Sequence, residues 1–256
     1  MSIYLAVFVV VTYFIWIKCF HNRHRRTLQK SLKTVLEVPS LSEIKGDGIR
    51  ALIITAHPDD ECMFFAPTIL QLVELDAIVH LLCLSEGNYY NQGAQRKQEL
   101  FNSCAVLGIQ HSRITIVDHK NLPDDPKAEW RVSLVSSIIV KHMRAHTFNM
   151  VLTFDGRGVS GHANHIAIYK TVRLCFAVPG DRWPPQEVHL LPRASPQLFA
   201  AIMSLLFFRR TGLQNAMLCH RTQLLWFRYL YIAFSRYMFT NTFQIIPQGP
   251  KNLKIY

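Results

Sequence analysis

His57 and Asp60 stand three residues apart in Ala56-His57-Pro58-Asp59-Asp60-Glu61, and His162 and His165 stand three apart in Gly161-His162-Ala163-Asn164-His165. Imidazole and carboxylate together suit a borderline divalent cation, with no thiol required. Two histidines and one carboxylate make a catalytic zinc site that keeps a fourth position for water. On this reading His57, Asp60 and His165 are the ligands. Asp59 and His162 are the neighbours not spent on metal. Water on zinc has its pKa lowered to about 7. Asp59 would take its proton and later deliver it to a leaving amine, as base and then acid. A protonated His162 would stabilise an oxyanion opposite the metal. Alone, an H-x-x-D corner says little, and each cluster has a purely structural reading. The case rests on two such clusters coinciding.

They coincide because of the elements that carry them. Residues 49–56 form a near-continuous apolar run rich in β-branched side chains, which suits a strand buried on both faces of a parallel sheet. A helix follows through about Leu75. Further strands are expected at 77–84, 113–117 and 149–154, with one more near 187–191. Helices are expected at 94–107, 129–145 and 163–176, and Gly108 sits where a C′ glycine belongs. Strand alternating with helix predicts an α/β fold, a parallel sheet flanked by helices. Ligands in such sheets bind beyond the carboxyl ends of the strands. Both clusters fall at such ends. His80, His111, His119, His142, His146, His189 and His220 lack such a setting and read as surface or satisfied core histidines. Asp124 and Asp125, within Pro123-Asp124-Asp125-Pro126, read as turn formers.

Charge divides the chain further. Of 28 Lys and Arg, six lie in 18–33 and eight in 188–256, and neither stretch holds an acid. The basic surplus therefore flanks the α/β body instead of covering it, which argues against nucleic acid and for a membrane surface. Residues 3–17 are apolar and uncharged, at the short end of a spanning helix once Met1, Ser2 and a snorkelling Lys18 are added. No positive charge precedes the run and bulky residues follow it, so an anchor at 1–20 is expected over a cleaved signal peptide. The basic linker at 21–47 would then face the cytoplasm. Six scattered cysteines without a C-x-x-C suit reduced, buried thiols.

The first cluster resembles the A-H-P-D-D-E signature of the LmbE-like zinc de-N-acetylases, and the second resembles their G-H-x-x-H. Met63-Phe64-Phe65-Ala66-Pro67-Thr68, Gly87-Asn88-Tyr89-Tyr90-Asn91-Gln92-Gly93 and Cys219-His220-Arg221-Thr222-Gln223-Leu224-Leu225-Trp226-Phe227-Arg228 are similar to the members that serve glycosylphosphatidylinositol (GPI) anchor synthesis. The resemblance covers roughly 50–176 and 216–240. It implies a Rossmann-like domain over 48–192 and dependence on Zn2+, with Fe2+ as an alternative. It also implies removal of an N-acetyl group from a membrane glycolipid at the cytoplasmic face of the endoplasmic reticulum. His57, Asp60 and His165 match the family's metal ligands, Asp59 its base and His162 its other histidine. Asn164 stands where soluble bacterial relatives often carry Asp, which would remove a charge beside His162. For such a substrate, Arg96 could pair with a phosphate, and Asn88 and Asn91 with sugar hydroxyls. Rival expectations are a deacetylase of another N-acetyl sugar conjugate, or a non-catalytic membrane scaffold, which the divergent, proline-rich 177–215 segment suggests.

The basic, aromatic segment 193–256 is expected to lie near the membrane. On one helix over 220–239, Arg221, Arg228 and Arg236 fall within about 80° of one another. That would give an amphipathic interfacial helix with arginines toward lipid phosphates. A core-packing helix with arginines in water is the alternative.

Overall fold

The computed structural model describes residues 48–177, 187–190, 210–238, 241 and 243–245, together with Thr12. Apart from Thr12, the expected anchor and basic linker lie outside the described residues. Among those residues, no helix is long and apolar enough to cross a membrane.

Strand β1 (Arg50–Thr55) opens the body, and the side chains of Ala51 through Thr55 are fully buried. A wide π-type turn, Glu61–Phe65, leads into helix α1 (Ala66–Glu74), whose first turn holds Pro67. Then come β2 (Ile78–Cys83), α2 (Gly93–Val106), β3 (Ile114–Ile116), α3 (Val132–Ala145), β4 (Met150–Thr153), α4 (Ala163–Ala177) and β5 (Glu187–Leu190). The last described elements are α5 (Arg210–Cys219), α6 (Trp226–Phe234) and β6 (Gln244–Ile245). The alternation read from the sequence is therefore observed. Gly108 takes φ +84° at the end of α2, a conformation open to glycine.

Sheet order is β3-β2-β1-β4-β5-β6, parallel except for the last pair. β2 lies on one side of β1 and β4 on the other, with Ile53 opposite both Leu81 and Leu152. The order reverses at β1, and a crevice opens there at the carboxyl ends. The loops after β1 and β4 both enter it, so the two polar clusters are brought side by side by topology. Beneath them Leu52, Ile53, Ile54, Leu81 and Leu82 form the centre of the core, each fully buried. Each stabilises by about 1.5–3 kcal/mol relative to exposure.

The single helix expected over 220–239 is broken. A short turn at Arg221–Gln223, α6, and another at Arg236–Met238 replace it. Leu225 and Ser235 are extended and interrupt the helical path. The three arginines therefore share no helical face, and the side chains α6 exposes are aromatic apart from Leu230. The described cysteines are all free: Cys62, Cys83 and Cys104 are buried, and Cys175 and Cys219 partly so.

Candidate active site

Asp60 is the best anchored of the expected ligands. Its Oδ2 accepts the N–H groups of Ala56 at 2.9 Å and His57 at 2.8 Å. Its Oδ1 is left facing His165 Nε2 at 3.2 Å. Burial pushes the carboxyl pKa up, but His165 and His57 outweigh burial and hold it well below the usual carboxylate range.

His165 is oriented by the loop after β4. Its Nδ1 lies 3.1 Å from the Gly158 carbonyl, where it donates, so Nε2 turns toward Asp60. Phe154 stacks on the ring at 3.9 Å between centroids and an 8° interplanar angle. Gly158 has φ +58°, and a Cβ there would lie 3.0 Å from His165 Cβ and 2.9 Å from Ile166 Cγ1, so the approach requires glycine.

His57 is held from the opposite side. Its Nε2 is 3.0 Å from Asn164 Oδ1 and 3.1 Å from Asp124 Oδ1, and its Nδ1 is 3.8 Å from Asp60 Oδ2. An oxygen partner on one ring nitrogen fixes the tautomer and frees the other to ligate. Asn164 thus serves His57 and donates to the Ala128 carbonyl at 2.9 Å, instead of flanking His162 as expected.

His162 packs its ring 4.7 Å from that of His57 and 4.8 Å from that of His165. Its Nδ1 is buried without a hydrogen-bond partner. Burial first, then the two neighbouring histidines, lowers its pKa to about 4, so the protonated form expected from sequence does not hold in this arrangement.

Asp59 departs from ordinary backbone, with φ 119°. A non-glycine residue held there costs about 1–3 kcal/mol, a strain that clusters at functional sites. Its N–H donates to Glu61 Oε2 at 3.0 Å. Its Oδ2 accepts from Arg228 Nη2 at 3.2 Å, and Oδ1 lies 3.7 Å from Arg96. Burial and then Asp60 raise its pKa, against the pull of Arg228, Arg96 and His220.

Three residues entered the site unannounced. Asp124, read as a turn former, bridges His57 and Arg96, the latter at 2.7 Å. Arg228 reaches in from α6 where it was expected to face lipid. His220 is buried and bonds Glu61 Oε1 at 2.7 Å, beneath the cavity. Asp125 does form a turn, accepting the Lys127 N–H at 2.8 Å.

Of the expected substrate contacts, Arg96 lines the cavity beside Asp59, while Asn88 and Asn91 do not line it. The Arg96 guanidinium is buried and donates to the Gly87 and Pro58 carbonyls as well as to Asp124, while its Nε is left without a hydrogen-bond partner. Asn88 accepts the N–H of Gly93, the first residue of α2, at 3.0 Å. Asn91, like Asn88, is exposed and lies outside the cavity that His57, Asp59 and His165 line. Tyr89, Tyr90 and Arg228 line that cavity together with Arg96.

The residues present fit a divalent cation. Ring nitrogens of His57, His162 and His165 lie within 4.8 Å of one another. His165 Nε2 is buried with no hydrogen-bond partner, beside the free oxygen of Asp60. A metal would satisfy that nitrogen and the carboxylate oxygen together, as would a proton on Nε2, which Asp60 favours against burial.

Residues 52–176 match the family model described as GlcNAc-PI de-N-acetylase. The chain is 42% identical to the N-acetylglucosaminyl-phosphatidylinositol de-N-acetylase of Bos taurus over 225 residues, covering 81% of this chain and 88% of that one. It is 32% identical to the probable enzyme of that name from Schizosaccharomyces pombe, covering 74% and 84%. Among solved structures, N,N'-diacetylchitobiose deacetylase from Pyrococcus horikoshii superposes with a TM-score of 0.58 at 17% identity, over 86% of this chain and 91% of that one, which shows a shared fold.

Proposed function

This chain belongs to the GlcNAc-PI de-N-acetylase family, and from that premise we propose that it hydrolyses the N-acetyl group of GlcNAc-phosphatidylinositol to give the free amine and acetate. It is a hydrolase of an amide bond, and its step is the second of GPI-anchor biosynthesis. The observation that carries the reading is the convergence of His57, Asp60 and His165 beside Asp59, at the crevice where the sheet order reverses.

We take the metal to be zinc, with iron(II) the alternative for the same donors. His57, Asp60 and His165 would hold it, and it would polarise the acetyl carbonyl and acidify a water. The chain's own groups do the rest. Asp59 takes a proton from the attacking water as its oxygen bonds to the acetyl carbon. When the carbon–nitrogen bond breaks, Asp59 returns that proton to the leaving amine. His162, held neutral, offers an N–H to the developing oxyanion. Asp124 and Asn164 keep the His57 ring in its ligating tautomer. Arg96 and Arg228 steady the Asp59 carboxylate from both sides.

The lipid tail of such a substrate stays in a membrane, and the exposed side chains near the cavity suit one. Tyr89 and Tyr90 at its rim and Trp226, Phe227, Tyr229, Leu230 and Phe234 on α6 all face outward. Aromatic residues favour the membrane–water interface. We place the protein at the endoplasmic reticulum membrane, with 1–20 as its anchor and the α/β body on the cytoplasmic side.

A deacetylation assay on GlcNAc-phosphatidylinositol micelles, paired with elemental analysis, tests this. His57→Ala and His165→Ala each remove turnover together with the ion at this site. Full turnover in either variant defeats the reading.

A further inference from the structure

Three histidines that deacetylation does not use meet toward the amino ends of the parallel strands. His80 lies in the first half of β2, opposite Leu52 and three residues before the Cys83–Thr55 pair that borders the candidate active site. His142 stands in the last turn of α3, and His146, four positions on, is its C-cap residue with extended backbone (φ −138°, ψ 147°). Ring centroids of His80 and His146 are 5.0 Å apart, and those of His142 and His146 are 5.1 Å apart. One ring nitrogen from each of the three lies within 4.8 Å of the others.

Two further observations point to a ligand. His142 Nε2 is buried with no hydrogen-bond partner. Phe148 packs against all three rings, with centroids at 5.1, 5.9 and 5.9 Å, and walls the cluster on one side. Burial, then the neighbouring histidines, holds His80 and His142 neutral, so their lone pairs are not lost to protons. The carboxyl end of α3 adds its partial negative charge. Arg50 and Arg113 act on His80 and oppose a cation. Imidazole affinity must therefore carry the binding, which selects a borderline transition metal over magnesium or calcium.

We propose that His80, His142 and His146 form a second metal site, for Zn2+ or a similar divalent transition-metal ion, that clamps the end of α3 to β2. Zinc–nitrogen bonds of about 2.0–2.1 Å need the three nitrogens closer than they now stand, and rotation of the partly exposed His146 supplies that movement. The fourth position is left to water. The proposal is independent of the deacetylase reading, because none of its residues touches that cavity.

The test uses the full chain in detergent, stripped by a chelator and titrated with Zn2+ against a chromogenic competitor. The wild type takes up two ions per chain. His142→Ala/His146→Ala takes up one and keeps deacetylation, while His165→Ala takes up one and loses it. The Zn2+-induced rise in Tm that persists in His165→Ala is absent from the double variant. Single His146→Ala, at a partly exposed position, gives the same loss of one ion should the double variant fail to fold. Two ions retained in these His142 and His146 variants, or a wild type binding one ion that His165→Ala removes, overturns the proposal. A wild type that binds two ions without deacetylating would leave this site standing and defeat only the reading above.

Discussion

Asp124 Oδ1 sits 3.1 Å from His57 Nε2, while its other oxygen is 2.7 Å from Arg96 Nη1. One carboxylate thus orients a metal ligand and the arginine beside the base. Asp124→Asn keeps the shape and removes the charge. Loss of such a partner typically costs about 10–100-fold in metal affinity or activity. A competition titration with Zn2+ should find a loss of that size at the catalytic site, and unchanged affinity would refute the assignment.

Asp59→Asn isolates proton transfer from ligation. Its oxygens face Arg228 and Arg96, not the ligand point. Turnover should fall by about 10²–10⁴-fold, the range for a general acid–base group. Metal content should stay at the wild-type level. A parallel fall in both would move Asp59 into the ligand set.

Arg228→Ala leaves Asp59 with Arg96 as its remaining cationic partner. A hydrogen bond to a charged group contributes about 1.5–3 kcal/mol, so kcat should drop by roughly 10–100-fold. Arg228→Lys should recover part of that, since a point charge replaces the planar fork. Equal activity in all three proteins would show that Arg228 only packs.

The buried pair of Glu61 and His220 makes stability depend on pH in both directions. His220 has its pKa raised, because burial is outweighed by Glu61. Its contribution is complete below the unfolded histidine value of about 6.5 and is lost as pH rises through the folded value. Glu61 has its pKa lowered, because burial is outweighed by His220 and Ser103. Its contribution is present above about 4.3 and is lost as pH falls through the folded value. Tm should therefore peak on a plateau that includes pH 4.3–6.5. His220→Ala strands a buried carboxylate, at a cost of about 3–5 kcal/mol. A flat Tm profile in the wild type would contradict the ion pair.

Much of this was legible in the chain. Buried strands announce themselves by continuous β-branched runs, and the two ligand clusters sit where those runs stop. What escaped was long-range. Asp124 lies in a segment whose prolines explain it fully as a turn, and nothing local marks its reach to a residue 67 positions away (His57). Arg228 belongs to an aromatic stretch that suits a membrane helix equally well. Only Leu225 and Ser235, by ending the helix at each side, turn it inward. Arg96 does line the cavity, but its bonds to the Pro58 carbonyl and to Asp124 are long-range, and neither they nor its bond to the Gly87 carbonyl left a mark in the sequence.

His220 and Thr222 come from the far end of the chain, yet they seal Glu61 and Glu99 of the body, Thr222 by bonds of 2.9 and 2.6 Å to the latter. A premature stop between β5 and His220 would therefore leave both carboxylates without these partners. Such an allele would be a folding lesion, even though His57, Asp59, Asp60 and His165 had all been translated.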